Sequence, residues 1–171
     1  IGFLSSVVLA SLSNARYKAA DAAVLRQATE LRSIMELERT NTGNYAAVKT
    51  GGQGTGSGGF IRAREGCGTF TGQFATRALE ICRKLVASAS TGSANSTSVA
   101  SSAGCGQGCV RFYYTNVGGS NPTDRYSIQV YMPYRSLQAG AVRYLCIGSS
   151  GAVTLDSDGS AWTEAGCSDN P

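Results

Sequence analysis

Cysteines are the residues best suited to chemistry in this chain of 171 residues. The six are Cys67, Cys82, Cys105, Cys109, Cys146 and Cys167. None belongs to a C-x-x-C pair and the chain contains no histidine, so the usual ligand patterns of zinc sites are missing. An even number of cysteines without metal spacing favours three disulfides formed in an oxidising compartment. Fifteen pairings are conceivable; nearness along the chain favours 67–82, 105–109 and 146–167, and buried free thiols are the alternative.

Three other patterns suggest sites but carry simpler alternatives. Asp156 and Asp158 lie in an Asp-Ser-Asp-Gly run that resembles a calcium loop, but the spacing to Glu164 falls short of the EF-hand position, and a plain turn is the alternative. Asn95 opens an Asn-Ser-Thr glycosylation sequence in a Ser/Thr-rich segment. Residues 54–59 fit G-x-G-x-x-G without following a clear strand or opening a helix. We therefore expect no cofactor.

The composition argues against two functional classes. Without histidine, and without S-x-x-K or G-x-S-x-G motifs, the chain lacks the common nucleophile–base combinations, so we do not expect an enzyme. A net charge of +4 without a dense basic run argues against a dedicated nucleic-acid binder.

The first forty or so residues predict one long helix. Residues 1–12 are apolar or small and uncharged, and charges begin at Arg16. An amphipathic stripe follows, formed by Val24, Ala28, Leu31 and Met35. Gly43 is suited to the left-handed conformation past a helix end. Such a helix would be about 60 Å long, so it should project from a domain of this size.

The remaining residues predict an α+β head. A glycine-rich loop at 50–59 precedes a helix at 72–87, and a small polar segment follows at 88–104. Period-two alternation then marks strands around 110–114, 128–132, 145–147 and 152–155. We predict a spine helix over residues 1–45 and a disulfide-braced head over 46–171, with three or four antiparallel strands packed on the helix.

The apolar front of the helix predicts assembly. It is too short to span a bilayer, which takes roughly 20 residues, and the loop-rich head offers little apolar surface to wrap it. Identical helices can instead bury one another. We expect such helices to form the core of a filament, with an interface made by Phe3, Leu4, Val7, Val8, Leu9 and Leu12.

These features resemble the amino-terminal helix of bacterial type IV pilins and pseudopilins, in which an apolar half passes through small residues into an amphipathic half. Residues 42–45, Thr-Gly-Asn-Tyr, resemble the Asn-Gly-x-Tyr-Pro turn that ends this helix, with Ala46 where Pro is usual. Residues 144–151 resemble a strand and turn of some pseudopilin-like sequences. Family members begin with Phe or Met followed by Thr-Leu-Ile-Glu, whereas Ile1-Gly2 is similar to the middle of that segment; we expect the processed terminus upstream of Ile1.

The resemblance implies a structural subunit of an extracellular pilus-like filament used in adhesion or motility. Its partners would be identical subunits, and the inner membrane before assembly. Two alternatives stay open: a pseudopilin of a type II secretion or DNA-uptake machine, and a membrane-anchored secreted adhesin or ligand-binding module.

The cysteine pattern makes a prediction about the native chain. Alkylation without reductant, followed by mass spectrometry, should modify no cysteine, because three disulfides are expected. Reduction should then expose six thiols. Six alkylated thiols in the unreduced native protein would refute an oxidising compartment.

Overall fold

A long helix, α1 (Gly2–Thr42), organises the fold. No glycine or proline interrupts the sequence between Phe3 and Asn41, so the backbone hydrogen bonds run unbroken for about 60 Å. Gly43 ends the helix with φ +78°, and its N–H donates to the Arg39 carbonyl at 2.7 Å. The predicted helix and its glycine stop are both confirmed.

The structure is a computed structural model. It describes residues 2–43, 60–63, 67, 70–90, 110–115, 125–139, 143–151, 153–156 and 167, and over 2–10 it describes the backbone.

An antiparallel sheet forms the centre of the head. Its strands are β1 (Phe60–Ala63), β2 (Val110–Thr115), β3 (Arg125–Tyr131), β4 (Tyr144–Gly148) and β5 (Val153–Asp156). Each strand pairs with the next in the order β1-β2-β3-β4-β5. The described part of the chain thus places five strands in the sheet rather than three or four. The additional strand, β1, is only four residues long, too short for a clear alternating pattern.

Two shorter helices accompany the sheet. Helix α2 (Ala75–Ala89) confirms the predicted second helix, with starts and ends shifted by two or three residues. Helix α3 (Pro133–Ala139) lies between β3 and β4 and was not predicted. Its seven residues are too few for a periodic signal, although Pro133 at the first helical position is a usual start.

The core lies between α1, α2 and one face of the sheet. The predicted stripe of Val24, Ala28, Leu31 and Met35 is fully buried. Opposite it lie alternate residues of the central strands, which are Phe112, Tyr126, Ile128, Val130, Leu145 and Ile147. Helix α2 adds Ala78, Ile81, Cys82 and Leu85. The fold is therefore α+β, with a long amino-terminal helix packed on a small antiparallel sheet.

The other face of the sheet is also buried in its centre. Ser127, Gln129 and Tyr131 of β3 and Tyr144 of β4 are each at most 5% exposed. Tyr126 lies on the α1 side and Tyr131 on the opposite side, so these two tyrosines do not belong to one aromatic face and each packs within the sheet.

Two disulfides cross-link separate segments of the head. Cys67 bonds to Cys82 in the middle of α2, and Cys146 of β4 bonds to Cys167. Both pairings are confirmed, and all four residues are buried. The third predicted pair, Cys105 with Cys109, lies outside the described residues.

A buried carboxylate of α1 holds the start of α2. Helix α2 has no side-chain hydrogen bond from its own N-cap residue, Phe74, and no acid in its first turn. The Glu38 carboxylate of α1, 2% exposed, instead accepts the N–H groups of Gln73 and Phe74 at 3.2 Å each. It lies so close to Gly72 (φ +96°) that a Cβ atom there would be 2.5 Å from Oε1 of Glu38. A negative charge at this place is also stabilised by the positive end of the α2 helix dipole.

Replacing this carboxylate should destabilise the protein. In the variant Glu38→Ala two backbone N–H groups lose their acceptor, and we expect the free energy of unfolding to fall by about 2 kcal/mol. Urea denaturation measures the change.

The matched control is Glu30→Ala on the same helix. Glu30 forms a salt bridge with Arg77 at 2.5 Å, but both side chains are at least 36% exposed, so the loss should stay below about 1 kcal/mol. Equal losses in the two variants would show that Glu38 does not hold α2.

Candidate assembly interface

The amino-terminal half of α1 leaves the head at Ala20. Residues 11–19 are exposed, apart from Tyr17, which is half-buried, whereas Ala20 is 7% exposed and opens the buried part of the helix. Leu12 is 61% exposed. Over residues 11–19, a stretch of about 13 Å, the side chains of α1 are therefore left largely uncovered by the head.

Of the predicted interface residues, Leu12 is the one whose side chain is described. The backbone of Phe3, Leu4, Val7, Val8 and Leu9 is helical, and their side chains lie outside the description. Ala15, Ala19 and Ala22 are exposed on the same helix. Small side chains let a neighbouring helix approach closely.

Helix α3 lies where α1 leaves the head, and a carboxylate attaches it there. Asp21, 8% exposed, accepts the N–H groups of Tyr134 at 2.8 Å and Arg135 at 3.2 Å. These are two of the N–H groups that a helix start leaves without internal partners. Lys18 lies over the Tyr134 ring, with Nζ 5.2 Å from its centroid, in cation–π range. The exit point of α1 is therefore held by contacts on either side of Ala20.

Burial raises the pKa of the Asp21 carboxyl above its ordinary value of 3.8. The two N–H groups and the positive charge of Arg135 lower the pKa and offset only part of this effect. The ionised carboxylate thus attaches α3 by hydrogen bonds while its desolvation costs some stability.

Arg32 and Tyr126 attach the middle of α1 to the sheet. Arg32 donates from Nη2 to the Ser149 carbonyl at 3.5 Å in the β4–β5 turn. Gly151 of that turn has φ +89°, and a Cβ atom there would be 3.2 Å from Nη2 of Arg32. Tyr126 donates its hydroxyl to Glu36 at 3.1 Å. The segment 144–151, singled out from the sequence, is thus strand β4 and the turn beneath Arg32.

The remaining predicted sites are not assembled in the described residues. Asp156 is the last residue of β5, paired with Tyr144, whereas Asp158 and Asn95 lie outside the description. Among the described residues no group of three or more His, Cys, Asp or Glu side chains is arranged to hold a metal. The helices that the structure describes include none with the length and hydropathy needed to cross a membrane.

Sequence reasoning missed Asp21 and Glu38, although a signal was present. Both acids occupy positions that continue the apolar stripe, three residues before Val24 and three after Met35. An acid on the buried face of an amphipathic helix requires partners, and the N-termini of α3 and α2 supply them.

Comparison of the chain with protein-family models, curated proteins and solved structures finds no match.

The raised pKa of Asp21 gives a pH dependence with a defined sign. The folded chain holds the Asp21 proton more tightly than the unfolded chain, so protonation stabilises the wild type as pH falls from about 7 through the raised pKa towards 3.8. The Asp21→Asn variant carries no charge there at any pH. Urea unfolding should therefore show wild-type stability rising relative to the variant on acidification. A relative loss on acidification, or an NMR titration giving a pKa below 3.8, contradicts this assignment.

Proposed function

We propose that this protein is a structural subunit of an extracellular filament resembling a type IV pilus. Identical α1 helices pack together in the filament core, and the α+β heads form the outer surface. Before assembly the apolar front of α1 anchors the subunit in a membrane. Two observations carry the proposal: the sequence of α1 begins with an apolar, uncharged segment, and the head leaves residues 11–19 of the same helix largely exposed, with Leu12 61% exposed.

The energetics of burial favour many contacts per subunit. Covering the six predicted interface side chains contributes about 9–18 kcal/mol when each is fully buried. Association costs about 4–15 kcal/mol in lost freedom, so a single partial contact gains little. In a helical array each helix contacts several neighbours, and the same side chains are covered on all sides. The uncharged front of α1 has no ionic group to desolvate.

The attachment of the head supports the same proposal. Two buried acids, Asp21 and Glu38, hydrogen-bond α1 to α3 and α2, and Arg32 contacts the β4–β5 turn. A head held at these points keeps one orientation on the spine, which an ordered helical array requires. The two disulfides suit an oxidising location outside the cytoplasm.

Electron microscopy of the native protein tests the proposal. We expect thin helical fibres from the wild type. Leu12→Glu should abolish them, because each subunit would bring a carboxylate into an apolar core. Leu137→Glu, at an α3 position that is 56% exposed, is the matched control and should leave fibres intact.

Two outcomes contradict the proposal. A wild-type chain that stays monomeric while retaining its fold, or a Leu12→Glu variant that assembles normally, contradicts a filament core built from α1. Circular dichroism should be equal for the two variants, since both positions are exposed in the isolated subunit.

A further inference from the structure

Basic side chains surround the point where α1 leaves the head. Arg16 and Lys18 of α1 and Arg135 of α3 are all exposed, and we call these three residues the basic collar. Arg16 and Lys18 point roughly 200° apart around the helix axis, so positive charge lies on opposite sides of α1. Arg135 joins them because its N–H is bonded to Asp21 at 3.2 Å.

No exposed acid of this stretch of α1 neutralises the collar. Asp21 is the sole acidic residue that the sequence contains before Glu30. It is 8% exposed, and both carboxylate oxygens accept N–H groups of α3. Among the described residues, the acid at this place, Asp21, faces inward and interacts electrostatically with Arg135, while the three collar side chains are exposed.

Two tyrosines accompany the basic residues. Tyr17 lies between Arg16 and Lys18, and Tyr134 lies beneath the Lys18 ammonium group at 5.2 Å. Both tyrosines are half-buried. Tyrosine is enriched where proteins meet the headgroup layer of a bilayer, and long basic side chains there extend their charge towards water.

The uncharged helix next to the collar identifies the partner. The first charge of the sequence is Arg16, so α1 carries none over the preceding roughly 22 Å. A nucleic acid would neutralise the collar but leave this apolar segment in water. A bilayer with acidic lipids covers both, because hydrocarbon lies directly beneath its charged surface.

We propose that the basic collar binds the phosphate layer of an anionic phospholipid membrane while the apolar segment of α1 lies among the acyl chains. The inference rests on the membrane-anchored stage of the proposed function and adds the lipid charge that this stage selects. Each basic residue at such a surface strengthens binding by about fivefold. The collar then places the head against the headgroups, with α3 nearest the membrane.

Vesicle flotation tests the collar with the full chain. Vesicles of phosphatidylcholine alone are compared with vesicles that also contain phosphatidylglycerol, at about 0.1 M NaCl. The triple variant Arg16→Gln, Lys18→Gln and Arg135→Gln should bind the acidic vesicles on the order of 100-fold more weakly than the wild type.

A second triple variant serves as the matched control. Arg39→Gln, Arg83→Gln and Lys84→Gln remove the same charge from exposed positions near the other end of α1 and on α2. This variant should bind like the wild type. Equal losses in the two triple variants, or equal wild-type binding to neutral and acidic vesicles, overturn the proposal.

Salt gives a readout that needs no variant. At about 1 M NaCl the screening length falls to roughly 3 Å, so wild-type binding to acidic vesicles should drop to its level on neutral ones. Salt-insensitive binding overturns the collar. The proposal is also overturned if the collar residues are needed for binding double-stranded DNA while the protein shows no preference for acidic vesicles.

The lipid assignment and the filament can fail separately. If the protein forms fibres but shows no preference for acidic vesicles, the filament proposal stands and the collar proposal fails. If it prefers acidic vesicles but forms no fibres, the collar proposal stands and the filament proposal fails.

Discussion

The arrangement of the head depends on how α1 satisfies the backbone N–H groups at the starts of α3 and α2. A helix start leaves N–H groups without internal acceptors, and neither helix has an acid in its own first turn. Asp21 and Glu38 supply these acceptors from α1. The two acids lie roughly 25 Å apart along the helix, with the apolar stripe between them. Buried charge thus marks both ends of the contact between spine and head.

This constraint divides α1 into two environments. Between Asp21 and Glu38 the stripe is covered by α2 and the sheet, and Val24, Ala28, Leu31 and Met35 are inaccessible to water. On the amino-terminal side of Ala20 the described side chains are exposed or half-buried. The same helix is therefore a core element from Ala20 onwards and a surface over residues 11–19. The proposed packing of copies and the proposed membrane contact both use the amino-terminal part of α1, and neither requires the head to rearrange.

The charges near the exit of α1 follow from the same division. Asp21 is used internally by α3, so the exposed charges around it, on Arg16, Lys18 and Arg135, are positive. On the α2 side, Glu30 is bound by Arg77 and Glu80 by Arg77 and Lys84, so exposed acids there offset part of the positive charge. The difference in charge between the exit of α1 and the α2 side arises from which acidic residues form internal hydrogen bonds, rather than from the modest net charge of +4.

Periodicity alone determined the elements that are long or strictly alternating. The spine helix, the second helix and strands β2 to β5 follow from local spacing, and Gly43 marks the helix end. Nearness along the chain favoured the cysteine pairs 67–82 and 146–167, and the structure selected them from the fifteen conceivable pairings. Tertiary structure decided what depends on distant partners: the short β1 and α3, the burial of Ser127 and Gln129 on the second face of the sheet, and the positive φ of Gly72 beside Glu38. It also decided that Asp21 and Glu38 face inward. An acid in a helix is as compatible with solvent as with a buried N–H group, and only the approach of another helix start distinguishes the two.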